Sequence, residues 1–257
     1  MVKVYSSNYS YDYGFSAVSL AYFLRYPNPY ARHVASTDTI SRSYDPVTQR
    51  LTTVRLHLKR SRLPPAVLKV LPKSSVGASS DGSTQSFILE KSVVDVKEGW
   101  METESRNIDW SNVLSVIERQ TYRRPALANP TADEITAFQR DGTIKVQDDD
   151  RTDVAVSVTL KSRIGEQLRK RRQRWGEQAG ATSVIGAGEE EPAVKQGWFS
   201  SWSSSAIRSA VESISLQRTE KSQPKAQKGM SVVLSRLRHG GIQEVLEGMR
   251  HDREVEL

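Results

Sequence analysis

One arginine ends an apolar helical stripe, and it is the side chain here whose position most invites chemistry. Phe15, Val18, Tyr22 and Arg25 recur at spacings of three, four and three, the periodicity of a helix face turned toward a core. A guanidinium on such a face needs a partner, because an isolated buried charge costs several kcal/mol even after relaxation. An acid such as Asp38 would serve, and so would the carbonyls at the helix's own C-terminus, where a cation is favoured.

A second basic group, Lys59-Arg60-Ser61-Arg62, stands just before the proline-bracketed apolar run from Leu63 to Pro72, which contains Val67, Leu68 and Leu71. It is either a solubilising edge cluster or the basic rim of a greasy flap that docks on an anionic membrane and inserts its leucines. The run Arg169 to Arg174 has poor specificity: a nuclear signal, a nucleic-acid patch and a membrane-surface helix all fit it. Only Trp175 adjoins it, so base stacking is thinly supported. Trp198, Phe199 and Trp202 suit an interfacial anchor or the buried start of a helix.

Catalysis finds little support. There is no Gly-rich phosphate loop, no GxSxG elbow and no His-x-x-x-His spacing, and the carboxylate pair Glu102 and Glu104 reads as a solvated strand face. With no cysteine and four scattered histidines, neither a disulfide framework nor a metal centre is expected.

These residues must be carried by a chain of 257 residues, enough for a sizeable core. Its hydrophobic share is 37%; counting glycine in place of tyrosine leaves it below the roughly 45–50% of ordinary domains. Part of the chain therefore lies outside the core. No window is long and apolar enough for a membrane span, and the first residues carry no recognisable targeting pattern. The net charge of +7 favours polyanionic partners, nucleic acid or an anionic membrane surface.

A short helix over 15–25 should stop at Tyr26-Pro27-Asn28-Pro29-Tyr30, where two prolines break it. Strands follow over 33–43, 51–59, 86–96, 100–107, 113–123 and 153–162, most alternating with period two. In the second of them Val54, Leu56 and Leu58 share one face and Arg55, His57 and Lys59 the other. Residues 73–85 are Ser/Gly-rich, and about 163–200 read as a charged insertion. A last helical pattern carries Ile207, Val211 and Ile214, is interrupted at Pro224, resumes through Met230, Val233, Leu234 and Leu237, and ends at Gly240-Gly241. A main domain over 1–240 and a charged, frayed tail over 241–257 follow. This order is α+β: a curved antiparallel sheet with a helix laid across its open side, an arrangement that can enclose a cavity.

The run Arg25-Tyr26-Pro27-Asn28-Pro29-Tyr30, then His33-Val34, Ser36-Thr37-Asp38-Thr39-Ile40-Ser41-Arg42 and Thr52-Thr53-Val54-Arg55-Leu56, resembles the N-terminal signature of the PRELI-like family. Ser92-Val93-Val94-Asp95 and Arg106-Asn107-Ile108-Asp109 continue it, and segments 206–212 and 229–234 resemble that family's long last helix. The resemblance covers roughly 1–165 and 205–238. It implies a curved seven-stranded antiparallel sheet wrapped around a long C-terminal helix, START- and PITP-like, with a short lid and an internal lipid cavity. It also implies non-enzymatic transfer of phospholipid between mitochondrial outer and inner membranes from the intermembrane space, peripheral on membranes. No cofactor is implied; phospholipid is cargo, and the partner is a small twin-cysteine helical-hairpin protein. The motifs look more like the phosphatidic acid branch, which feeds cardiolipin synthesis, than the phosphatidylserine branch.

By the same resemblance Arg25 matches the arginine that meets the lipid phosphate on the cavity floor. Lys59 matches a basic residue near the lid, and Arg218 and Lys225 fall where the last helix turns lysines toward the headgroup. Arg60, Arg62, Leu63, Val67, Leu68 and Leu71 would form the lid and membrane contact. Ile214, Ser222 and Pro224 depart from the family pattern. The physics agrees with a carrier: roughly 30 methylenes at about 0.8 kcal/mol each must be kept from water, and a phosphate in a low-dielectric pocket favours arginine's fixed fork. The rivals are a nucleic-acid-binding protein using Arg169 to Arg174 and an adaptor that carries no lipid; nucleic acid is not the expected partner.

Overall fold

The computed structural model describes residues 2–62, 83–109, 111, 114–125, 151–163 and 204–254. The chain order is β1 (Val2–Tyr11), α1 (Phe15–Phe23), β2 (Val34–Asp45), β3 (Arg50–Arg62), β4 (Ser83–Asp95), β5 (Trp100–Asn107), β6 (Leu114–Arg123), β7 (Thr152–Ser162) and α2 (Ser204–Glu254). Short connections between alternating strands give an antiparallel meander. Seven strands form one sheet in the order β1-β7-β6-β5-β4-β3-β2, every pairing antiparallel. This is the expected α+β plan of a seven-stranded sheet with a long C-terminal helix.

The helix α1 and the middle of α2 lie on the inner face, with Val18, Ala21, Val233 and Leu234 fully buried. From the sheet, β7 contributes Val154, Val156, Val158 and Leu160, and β5 contributes Met101. Alternation in β7 sends every second side chain inward, so these residues make a continuous apolar wall. Among the described residues no helix is long and apolar enough to cross a membrane.

Four features differ from the sequence-based expectation. The first strand, β1, has no counterpart in the six expected. Its inward residues Tyr5, Tyr9 and Tyr11 share one parity, but Ser6-Ser7-Asn8 breaks the apolar rhythm, and Val2 and Val4 point outward. Next, β3 continues past its expected end at Lys59 to Arg62, so Arg60 pairs with Gln85. Third, α2 passes through Pro224, and only Gly241 departs from helical φ/ψ. A helical proline removes the bond to the carbonyl four residues back; here that residue is the exposed Glu220, whose carbonyl water can reach.

Finally, the stretch expected to be a frayed tail is helical to Glu254. Gly241 turns the chain with φ of +66°, a left-handed value that glycine adopts without strain. The limb beyond it buries Val245 completely and ties Asp252 to Arg236 Nη1 at 2.7 Å. Leu63, Val67, Leu68, Leu71, the insertion over 164–200 with Arg169 to Arg174, and Trp198, Phe199 and Trp202 lie outside the described residues.

Candidate functional site

The inner face of the sheet is apolar along β7 and polar along β3 and β4. On β3 the alternation is reversed from what hydrophobicity alone suggests: Thr53, Arg55 and His57 are buried while Val54, Leu56 and Leu58 are only half-buried. On β4, Glu90 and Ser92 point inward, on the same face as buried Thr84 and Val94. Arg55 and Glu90 are direct cross-strand partners, and opposite charges in that position attract.

Arg25 reaches this pair from the end of α1. Its Nη1 donates to Tyr22 O at 2.7 Å, capping the helix, and its Nη2 donates to Glu90 Oε2. Arg55 binds the other carboxylate oxygen through Nε at 2.9 Å and Nη2 at 2.5 Å, and its Nη1 donates to Phe23 O at 3.1 Å. One carboxylate thus bridges two arginines, and both arginines also hold carbonyls at the C-terminal end of α1. The Arg25 guanidinium lies over the Tyr22 ring at 3.7 Å and the Tyr26 ring at 4.6 Å, in range for cation–π attraction. The sequence left two partners open for Arg25, an acid and the helix carbonyls. Both are present, but the acid is Glu90; Asp38 is exposed on β2.

Burial works against both charges, yet their mutual attraction wins: the carboxyl of Glu90 is held well below its usual range by Arg25 first and by Arg55, and Arg25 is held well above its own by Glu90. His57 Nε2 is 3.3 Å from Glu90 Oε2, too poorly aligned for a hydrogen bond. Burial lowers its pKa, so the ring is neutral near pH 7. Two guanidinium charges therefore face one carboxylate, and the cluster carries a surplus of one positive charge.

A cavity of about 270 Å³ opens against this cluster. Arg25, Lys59, Arg106 and Lys225 line it as cations, and Glu90 and Glu118 as anions, so the lining is net positive and suits an anion. Of the sequence-predicted headgroup residues, Arg25, Lys59 and Lys225 come together here. Arg218 is exposed one turn before the lining residue Ser222 and does not itself line the cavity. His33 stands with Lys59 and Lys225, and desolvation followed by their charge lowers it to about 4. Arg60 is exposed beside them, its N–H donating to His33 O at 2.7 Å. Arg62 lies in β3, with its side chain outside the described set.

The opposite wall is a polar relay. Glu118 Oε1 accepts from Gln120 Nε2 at 2.5 Å and from Gln223 Nε2 of α2 at 3.1 Å, and Tyr122 Oη donates to Gln120 Oε1. Burial pushes Tyr9 up to about 12 and Tyr22 higher still, so both phenols remain neutral. The mouth is shaped by the turn after α1, where Asn28 Nδ2 donates to Arg25 O at 2.6 Å and Asn28 Oδ1 accepts from Tyr30 N at 2.8 Å.

Arg55, Glu90, Glu118 and Gln223 were not singled out from the sequence as site residues. The available signal was parity: Arg55 and His57 share a strand face with Lys59, and Glu90 shares one with Ser92 and Ile88.

A family model described as the PRELI-like family matches residues 16–174. The protein UPS1, mitochondrial, of Saccharomyces cerevisiae is 36% identical over 170 residues, covering 64% of this chain and 91% of its own. PRELI domain-containing protein 1, mitochondrial, of Mus musculus is 33% identical over 122 residues, 48% of this chain and 52% of its own. Among solved structures, an aromatase/cyclase from a Streptomyces species covers 94% of this chain and 100% of its own at a TM-score of 0.40 and 9% identity, too distant a likeness to carry an inference.

Proposed function

Because the chain belongs to the PRELI-like family, we propose that it carries phospholipid between the outer and inner mitochondrial membranes without altering it chemically. The cargo is phosphatidic acid, and the pathway served is cardiolipin synthesis. The supporting observation is Arg25, a guanidinium facing a net-positive cavity and held by Glu90 and the end of its own helix. A fixed, always-charged fork on a largely buried cavity floor suits a phosphate. At about 270 Å³ the cavity falls just under the roughly 300–1,000 Å³ of small-molecule sites, the scale of a headgroup and glycerol, not of two acyl chains.

In this reading Lys59 and Lys225 guide the headgroup inward, while Arg60, Arg62, Leu63, Val67, Leu68 and Leu71 meet the membrane. The protein works in the intermembrane space, peripheral on anionic membranes, with a small twin-cysteine helical-hairpin partner. A second reading, phosphatidylserine as cargo, is favoured by Glu118: a carboxylate in the same cavity would accept from an ammonium group, which phosphatidic acid lacks.

The test is transfer between donor and acceptor liposomes, with mass spectrometry of lipid extracted from the purified chain. Phosphatidic acid should copurify and move, and Arg25→Glu should stop its movement. Transfer by Arg25→Glu at the unmutated rate would remove the phosphate assignment, and faster movement of phosphatidylserine would favour the second reading.

A further inference from the structure

The Arg25–Glu90–Arg55 bridge has more organisation than phosphate binding alone requires. Arg55 and Glu90 have side chains 4% and 1% exposed, whereas Arg25 is 15% exposed. The two buried members form a base, and Arg25 is the member that meets the cavity. Each of the three Arg55 nitrogens donates a bond, two of them to Glu90. Arg25 shares Glu90 through the other oxygen, so the carboxylate can release Arg25 and keep Arg55.

We propose that Glu90 is an internal counter-anion and Arg55 its anchor: Glu90 orients Arg25 while the cavity is empty and yields to an incoming phosphate monoester, remaining bound to Arg55. The proposal rests on the reading that the cavity takes a phosphate. A carrier must release its cargo, and an unopposed buried pair of arginines would hold a phosphate too firmly, since charge-assisted bonds are roughly twice as strong as neutral ones. Glu90 lowers that affinity by competing for the same donors. Arg55 and Glu90 are positioning residues; Arg25 touches the ligand.

The test is calorimetric titration of the full chain with dihexanoyl phosphatidic acid below its micelle concentration, and with inorganic phosphate, alongside liposome transfer. Glu90→Gln keeps the shape and removes the competing charge. It should bind roughly tenfold more tightly and transfer more slowly, because release becomes limiting. Arg55→Gln leaves Arg25 fully neutralised by Glu90 and should weaken binding by roughly tenfold. The double variant restores the single positive surplus and should return binding to within a few-fold of the unmutated chain. A purely structural role predicts the reverse: weaker binding in Glu90→Gln and no recovery in the double variant, and either result overturns the proposal. If Glu90→Gln does not fold, the double variant compared with Arg55→Gln decides. Arg25→Gln separates the two levels: unchanged binding in that variant removes the phosphate reading itself. Lost binding there without tightening in Glu90→Gln removes only the counter-anion role. Tightening by dihexanoyl phosphatidic acid and inorganic phosphate alike supports phosphate recognition at this cluster, and tightening by neither overturns it.

Discussion

Gly229 of α2 lies so close to Asn28 that a Cβ there would stand 2.7 Å from Asn28 Oδ1 and 2.9 Å from Nδ2. Asn28 is 3% exposed and cannot simply swing aside, because its amide holds both Arg25 O and Tyr30 N. The close approach fixes the turn after α1 against the last helix and thereby places Arg25. In an exposed helix, Gly→Ala gains up to about 1 kcal/mol; here overpacking of roughly 1–3 kcal/mol opposes it. Gly229→Ala should therefore lower stability by about 1 kcal/mol in urea unfolding, whereas in an Asn28→Ala background, itself destabilised by the loss of both amide bonds, the same Gly229→Ala should raise stability by up to about 1 kcal/mol. A more stable Gly229→Ala would show that the turn moves freely.

Much of this fold is legible in local pattern, and the site is not. Most of the six expected strands announce themselves by alternation, and α1 by the stripe through Phe15, Val18 and Tyr22. What the pattern hides is direction. On β3, hydrophobicity points to Val54, Leu56 and Leu58 as the inner face, whereas Arg55 and His57 are inside. The reversal is possible because Glu90, 35 residues from Arg55, lies opposite on β4 and neutralises a charge that would otherwise be expelled. No local window contains both residues. The same limit explains Asp38, near Arg25 in sequence but exposed, and β1, whose sheet partner β7 and covering helix α2 lie far along the chain. Resemblance supplied Arg25, Lys59 and Lys225 as a group, which periodicity alone did not assemble.

Two histidines set a pH window, His57 buried and His33 exposed at the cavity mouth. His33 is lowered to about 4 and His57 is also lowered, so the unfolded chain takes up protons below about 6.5 while the folded chain does not. Stability should be full above that pH and fall from about 6.5 through about 4. Glu90 acts in the same direction further down: held low in the fold, it stabilises above the unfolded carboxylate value, a contribution lost as pH falls through its depressed one. Urea midpoints at pH 7.5, 6, 5 and 4 should decline steadily, and His33→Gln should flatten the upper part of the decline. A constant midpoint from 7.5 to 5 would mean that both rings are solvated.

The C-terminal limb should behave as part of the domain. Val245 is fully buried, Met249 packs on the same core and Arg236 holds Asp252 at 2.7 Å. Arg238 Nη2 donates to Asp12 O at 2.8 Å and lies 4.0 Å from the Tyr13 ring, tying the end of the first limb to the β1–α1 connection. Val245→Ala should cost roughly 1–3 kcal/mol of unfolding free energy, the transfer of two methyl groups plus a cavity contribution. A loss below about 0.5 kcal/mol would mean that the limb frays in solution, as charge composition alone suggests.

Membrane docking should divide into a salt-sensitive and a salt-insensitive part. Exposed Lys225 and half-buried Lys59 line the cavity mouth, exposed Arg60 follows Lys59 along β3, and each cation near an anionic surface contributes about 1 kcal/mol at low salt. The Debye length shrinks from about 10 Å at 0.1 M to about 3 Å at 1 M, so this contribution should fade while apolar insertion persists. Binding to phosphatidylcholine vesicles containing cardiolipin should drop by at least roughly tenfold over that range. Arg60→Gln with Lys225→Gln should reduce the slope without moving the urea midpoint, because neither side chain is buried. Leu68→Asp should instead lower the salt-insensitive remainder. Equal slopes in the charge variant and the unmutated chain would place the membrane-facing surface elsewhere on the molecule, away from the mouth through which a headgroup reaches Arg25.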